Sequence, residues 1–302
     1  MVLSSNRESL ASVWRMILFV EEGSMCKRRL VAVLLPLLIL TGSLLAADRP
    51  APAPAPRLVG HRGLFKHAPE NTLASFVACL DLRLGLELDV RRTRDGHLVC
   101  LHDADVQRTT NGKGKVADLS LEELRRLDAG RWFDPIYTGL KVPTLEEVFV
   151  LLRERKQREV LAAIDFKIND DRVAEDVVQL ADKQGILRQL VCIGIAIENQ
   201  AFRQRLKKAN PQTPVARLVP GPEQLAEALE DNSADWIYIR FVPTAEQMER
   251  IHKAGKKVFL SGPKVAGNEP ENWSLARKAG VDALLTDYPL ECRAVWRQGQ
   301  GK

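Results

Sequence analysis

From Arg57 onward the chain alternates short apolar runs with longer stretches in which apolar residues recur every three or four positions. The short runs cover 57–61, 86–90, 160–167, 190–195, 214–218, 236–239, 257–261 and 283–286, and their length and β-branched content predict strands. Between them lie stretches with helical period, at 71–83, 145–156, 172–184, 199–209, 222–230, 244–254 and 271–279, with a last one after Pro289. Helix-start signals recur, as in Thr144 ahead of Leu145-Glu146-Glu147 and Thr244 ahead of Ala245-Glu246. Eight strand–helix units, in a stretch close to the roughly 250 residues a barrel needs, predict a single-domain α/β fold over 57–296. It is a closed (β/α)8 TIM barrel rather than an open doubly wound sheet. The second βα loop is enlarged. Between Val90 and Thr144 lie an Asp95-Gly96 turn, a strand-like Leu98–Leu101, a glycine-bearing loop and a short helix at 120–127.

The segment ahead of Arg57 has a different pattern. Lys27-Arg28-Arg29 precedes the apolar run Leu30–Leu40, and Thr41–Ala47 gives a small-residue exit, the order of a secretory signal peptide. Residues 1–47 are therefore read as a leader, cleaved after Ala46 or Ala47, and the protein as exported to the periplasm or medium. Met25, directly before the basic cluster, is the expected start. An uncleaved anchor is the competing reading, since Leu30–Ala47 approaches the ~18 residues of a membrane span. Pro36 and the Gly42-Ser43 exit favour cleavage, and with it no stable membrane insertion. Residues 48–56, with Ala51-Pro52-Ala53-Pro54-Ala55-Pro56, form an extended Ala/Pro linker.

Composition narrows the classes further. Apolar residues make up 45% and charged residues 27% of 302, an ordinary globular balance with material for a sizeable core. The net charge of +5 is partly the leader's, and the rest carries no Lys/Arg run, so nucleic acid is not expected as a partner. The five cysteines form no C-x-x-C pair. Cys79, Cys100, Cys192 and Cys292 sit in apolar company, as small hydrophobes do, and export leaves a disulfide open to them.

Only five histidines occur, and two of them, His61 and His102, lie beside strand ends within the stretch Leu58–Asp103. Glu87 and Asp89 are two apart on a strand and so share a face. Asp165 ends the next strand. Barrel strands present catalytic groups at their C-terminal ends, where these residues fall. Three carboxylates there suit one hard divalent cation, Ca2+ or Mg2+. Salt bridges to Arg91 or Arg92 are the alternative. Imidazoles titrate near neutral pH, so His61 and His102 can serve as an acid–base pair. Arg62 and Lys167 would bring positive charge to an anionic substrate. Asn71 and Thr72 stand at a helix start, and Asn71 is read as its cap. Arg108–Gly114 is read as a shaped turn, since it lacks the spacing of a phosphate-cradling P-loop. His67, His97 and His252 are read as solvated.

These residues carry a resemblance. His61-Arg62-Gly63, Pro69-Glu70-Asn71-Thr72, Glu87-x-Asp89-Val90, Thr93-x-Asp95-Gly96, His102-Asp103, Arg108-Thr109-Thr110-x-Gly112, Val142-Pro143-Thr144-Leu145 and Asp282-x-x-x-Thr286-Asp287-x-Pro289 follow one another as in the glycerophosphodiester phosphodiesterase family. That family is similar in fold to the phosphatidylinositol phospholipase barrels. The resemblance implies that His61 and His102 are the catalytic pair, that Glu87, Asp89 and Asp165 bind the metal, and that Arg62 and Lys167 hold phosphate. It implies a small-molecule glycerophosphodiester as substrate, hydrolysed to an alcohol and glycerol 3-phosphate. The sequence departs from the family pattern twice. Asp165 stands where Glu is usual, and Val258–Lys264 replaces a Trp-Thr-x-Asn wall in the seventh barrel strand. A phospholipase acting on intact lipid headgroups and a catalytically weak phosphate- or sugar-binding barrel are the alternatives.

Overall fold

Nine strands form in the computed structural model, which describes residues 55–299 apart from Asp171. The expected leader, its signal peptide and all but the end of the Ala/Pro linker lie outside these residues. The strands are β1 (Arg57–Gly60), β2 (Gly85–Arg92), β3 (Leu98–Cys100), β4 (Ala162–Phe166), β5 (Leu190–Ile193), β6 (Ala216–Val219), β7 (Trp236–Ile239), β8 (Lys257–Leu260) and β9 (Ala283–Thr286). Eight pair in parallel, in the order β5-β4-β2-β1-β9-β8-β7-β6, and a parallel bridge between Cys192 and Val215 brings the two edges together. The result is the expected TIM barrel, nearly closed. β3 stands off the ring and pairs antiparallel with the end of β2, Val90 opposite Cys100.

The helices are α1 (Leu73–Asp81), α2 (Leu121–Arg126), α3 (Leu145–Arg155), α4 (Val173–Lys183), α5 (Gln200–Ala209), α6 (Leu225–Glu230), α7 (Ala245–Lys253), α8 (Pro263–Ala266), α9 (Pro270–Ala279) and α10 (Pro289–Gln298). Thr144 and Thr244 cap α3 and α7 in full capping boxes: each side chain accepts from the N3 amide, while Glu147 or Gln247 accepts from the cap amide. The expected 222–230 helix splits into a 3-10 turn at Pro222–Gln224 and α6. The short α8 has no counterpart in the periodicity, because a four-residue helix shows barely one period. One correction concerns the first helix. Thr72, with extended backbone, accepts from the Ser75 amide and is the cap of α1; Asn71 is not.

One continuous core fills the barrel and the space beneath the helices, with Phe76, Phe149, Phe166, Phe202, Phe259 and Trp273 fully buried. Each such side chain contributes roughly 1.5–3 kcal/mol by leaving water. The enlarged second loop has a separate small core of Val99, Leu101, Val106, Val116, Leu124, Ala129 and Val142. That core makes the loop a fixed platform at the barrel mouth, able to hold side chains in place. Cys79, Cys100, Cys192 and Cys292 are buried free thiols, and burial pushes Cys79 and Cys192 up to about 12. Among the described residues no helix is long and apolar enough to cross a membrane.

Candidate active site

Glu87 and Asp89 point inward from β2, and Asp165 on β4 stands in register with Asp89. One carboxylate oxygen from each lies within 4.8 Å of the others. Glu87 and Asp89 are buried. Burial, then repulsion from Asp89 and Asp165, pushes Glu87 well above the usual carboxylate range. Burial also raises Asp165, against the pull of Lys167.

The local fold holds these repelling groups in place. The Arg62 amide donates to Glu87 Oε2 at 2.7 Å, and the Gly63 amide donates to the Glu87 carbonyl at 3.0 Å. Asn71, in left-handed backbone at φ +54°, turns its side chain onto Asp89. Its Nδ2 donates to Asp89 Oδ2 at 2.7 Å, and its Oδ1 accepts from the Asp89 amide at 3.1 Å. Lys167 Nζ donates to Asp165 Oδ2 at 2.8 Å and lies 3.1 Å from Asp89 Oδ1. Arg91 and Arg92 serve elsewhere, so the alternative of salt bridges to them does not hold. Arg91 donates to the His102 carbonyl, and Arg92 pairs with Asp170 and Asp176. Among the described residues Asp89 Oδ1 and Asp165 Oδ1 are buried without a hydrogen-bond donor in line. An Asp165 oxygen with no partner and an Asp89 oxygen met only by the Lys167 ammonium, in a three-carboxylate cluster, fit the donor set a hard cation takes.

Each expected catalytic histidine has a carboxylate on its Nδ1. Asp287, just past β9, accepts from His61 Nδ1 at 2.7 Å, and Asp103 accepts from His102 Nδ1 at 2.7 Å. These bonds place the Nδ1 proton and leave Nε2 of both rings for chemistry. Behind His102 runs a longer relay. Arg108 Nε donates to Asp103 at 2.6 Å, and its two terminal nitrogens fork onto Glu70 at 2.7 and 2.8 Å. Glu70 also accepts from Arg62 at 2.9 Å. Arg108 and His102 hold Asp103 well below the usual carboxylate range. Burial works against Glu70, but Arg108 and Arg62 outweigh it and hold its carboxyl low.

Four contributors escaped the sequence reading: Asp287, Glu70, Asn71 and Arg108. All four lie inside motifs that carry the resemblance, but nothing local to those motifs gives the partners these side chains take. Among the expected site residues, Glu87, Asp89, Asp165, Lys167 and Arg62 come together as one cluster. Arg62 Nε approaches Asp89 at 3.7 Å, so both expected phosphate-holding cations rest against carboxylates.

The shorter Asp165 is accommodated by Gly194, which follows β5 at φ +98°. A Cβ there would lie 2.1 Å from Asp165 Oδ1 and 2.8 Å from its Cγ. Gly194→Ala should displace Asp165, strain the backbone by about 1–3 kcal/mol, and lower turnover about tenfold or more. Steady-state kinetics with a thermal melt checks this, and wild-type turnover would remove Asp165 from the site.

Known proteins resemble this chain along most of its length. A sequence model of the Glycerophosphoryl diester phosphodiesterase family matches residues 61–291. The chain is similar to the glycerophosphodiester phosphodiesterase of Caldanaerobacter subterraneus subsp. tengcongensis, 34% identical over 250 residues that span 80% of this chain and 98% of that one. It is also similar to that of Bacillus subtilis, 29% identical over 265 residues, 82% of this chain and 87% of the other. Among solved structures it is similar to a glycerophosphodiester phosphodiesterase from Agrobacterium tumefaciens, with TM-score 0.67 and 28% identity over 79% of this chain and 99% of that one. An Oleispira antarctica phosphodiesterase, solved with the product sn-glycerol-3-phosphate, gives TM-score 0.64 and 27% identity over 80% and 97%.

Proposed function

Because this chain belongs to the glycerophosphoryl diester phosphodiesterase family, we propose that it hydrolyses glycerophosphodiesters to an alcohol and glycerol 3-phosphate by histidine acid–base catalysis with one divalent cation. The observation that carries this reading is the pair of histidines, each held at Nδ1 by a carboxylate, beside the Glu87–Asp89–Asp165 cluster.

The residues support a two-step route. One imidazole Nε2 takes the proton of the glycerol hydroxyl next to the phosphodiester, and that oxygen attacks phosphorus. The other imidazole, protonated, gives its proton to the departing alcohol oxygen. A five-membered cyclic phosphate results; water opens it with the histidines in exchanged roles, restoring both protonation states. Asp287 and Asp103 keep the rings oriented and stabilise each imidazolium as it forms. Arg62 and Lys167 meet the negative charge on the phosphoryl oxygens. Glu87, Asp89 and Asp165 would hold Ca2+ or Mg2+, and the Asp89 and Asp165 oxygens left without a hydrogen bond fit that task. When bound, such an ion supplies Lewis-acid stabilisation of phosphoryl charge. Lys27–Ala47, outside the described residues, supports export of the enzyme.

A lipid-directed variant of this reading rests on exposed apolar side chains in loops that follow barrel strands. Ile136 and Ile195 are 82% and 72% exposed. The test is a substrate panel, with Ca2+ and Mg2+ supplied separately, comparing glycerophosphocholine in solution with intact phosphatidylcholine vesicles. The expected result is release of choline and glycerol 3-phosphate from the soluble diester, with a glycerol cyclic phosphate trapped at short times. Turnover of vesicles alone would favour the lipid-directed variant. No turnover of any diester, alongside tight phosphate binding, would favour a non-catalytic barrel.

A further inference from the structure

The wall facing the carboxylates carries a cation that the phosphodiesterase reading does not use. β7 stands four places from β2 in the eight-stranded ring, directly across the barrel. Trp236, Tyr238 and Arg240 alternate along β7 and its exit, so they share one face. Tyr238 stacks on Phe259, with centroids 5.6 Å apart and planes at 26°, and its hydroxyl accepts from Ser261 Oγ at 2.8 Å. The hydroxyl is pushed up to about 12 mainly by burial, with Asp165 and Glu87 adding to the rise and Arg240 opposing it. That balance places Tyr238 within electrostatic reach of both the cluster and Arg240.

Arg240 lies just past the C-terminal end of β7, at the mouth, and is half-buried. Its guanidinium lies over the Tyr238 ring at 4.9 Å. Its stem runs against Gly262, which adopts φ +89°, and a Cβ on Gly262 would come within 2.7 Å of Arg240 Cδ. The side chain is thus cradled from two sides. Arg62, Arg108 and Lys167 are each engaged by carboxylates. Arg240 alone of these four has no acidic partner among the described residues. A half-buried guanidinium held in place without an anion is set to receive one from outside. With phosphate at Arg62 and Lys167 on one side of the barrel, Arg240 stands on the opposite wall of the same mouth.

We infer that Arg240 forms a subsite for an anionic group on the alcohol half of the diester. Preferred headgroups then carry a phosphate or carboxylate rather than a quaternary ammonium. This inference rests on the phosphodiesterase reading. It also gives the departure at Val258–Lys264 a purpose: Ser261 fixes Tyr238, and Gly262 makes room for Arg240.

The test uses four soluble glycerophosphodiesters whose alcohols are glycerol, glycerate, glycerol phosphate and choline. Wild-type kcat/KM is expected to be at least about tenfold higher for the two anionic headgroups than for glycerol, and lowest for choline, an advantage of about 1.4 kcal/mol. Arg240→Gln should bring the anionic-to-neutral ratio close to one, chiefly through KM. Arg240→Lys should keep part of it. Equal losses on all four diesters would place Arg240 on the shared phosphodiester and overturn the inference. So would a wild-type enzyme that turns over all four without preference, which would leave the phosphodiesterase reading standing. No turnover of any of the four would overturn that reading itself. The wild-type ratios can still overturn the inference even if a variant at Arg240 fails to fold.

Discussion

His61→Ala and His102→Ala should each lower kcat by about 10²–10⁴-fold, the range of a single general acid or base, while the melting temperature stays near that of the wild type. Both rings are partly exposed, with side chains 29% and 33% accessible, so truncation leaves no sealed cavity. The double variant should lose much less than the product of the two single losses, because neither half of a proton relay works without the other. Full activity in either single variant would remove that histidine from the chemistry.

The same pair can be told apart by the leaving group. A glycerophosphodiester of p-nitrophenol departs as a stable phenolate and needs no proton. The variant lacking the general acid of the first step should therefore recover most of its loss in p-nitrophenolate release while glycerol cyclic phosphate accumulates, and the variant lacking the base should recover neither. His102 is tied through Asp103 to Arg108 and Glu70, whereas Asp287 on His61 has no such cation behind it among its described contacts. That asymmetry is a physical reason for the two rings to take different parts.

The barrel was legible in the sequence because its strands are buried on both faces and therefore read as continuous apolar runs. The capping boxes at Thr144 and Thr244 were legible because both partners lie within one turn of helix. The strand-end residues His61, Glu87, Asp89 and Asp165 were legible too, since a fixed period of two sets which face each side chain takes. What could not be read depends on the paths of loops. Asn71 reaches Asp89 across 18 residues, Arg108 reaches Glu70 across 38, and His61 meets Asp287 across 226. No local period encodes such pairings. Asn71 and Thr72 are both good capping residues side by side, and only backbone conformation separates their tasks. Thr72 is extended and caps, whereas Asn71 is left-handed and turns its amide inward. The alternative partners Arg91 and Arg92 were plausible by proximity in sequence. They fail because β3 brings the His102 carbonyl to one and the β4–α4 loop brings Asp170 to the other.

Exhaustive chelation should abolish turnover, and Ca2+ or Mg2+ should restore it. A second readout does not depend on catalysis. A cation that binds only the folded protein stabilises it by about 2.7 kcal/mol at a hundredfold excess over Kd, which for a domain of this size raises the melting temperature by roughly 5–10 °C. Glu87→Gln separates the cation from the carboxylates themselves. The neutral side chain can still accept from the Arg62 amide, so the loop before α1 keeps its anchor. It removes one buried charge from a cluster in which Asp89 and Asp165 both repel it. The cation-free variant should therefore melt at or above the cation-free wild type, yet gain little on adding Ca2+ or Mg2+ and turn over poorly. Greater stability with lost function is the signature of groups kept together for a ligand rather than for the fold. A variant that melts lower than the wild type without cation would mean instead that Glu87 stabilises the barrel by its charge. A melting shift equal to the wild type's would take Glu87 out of the cation site.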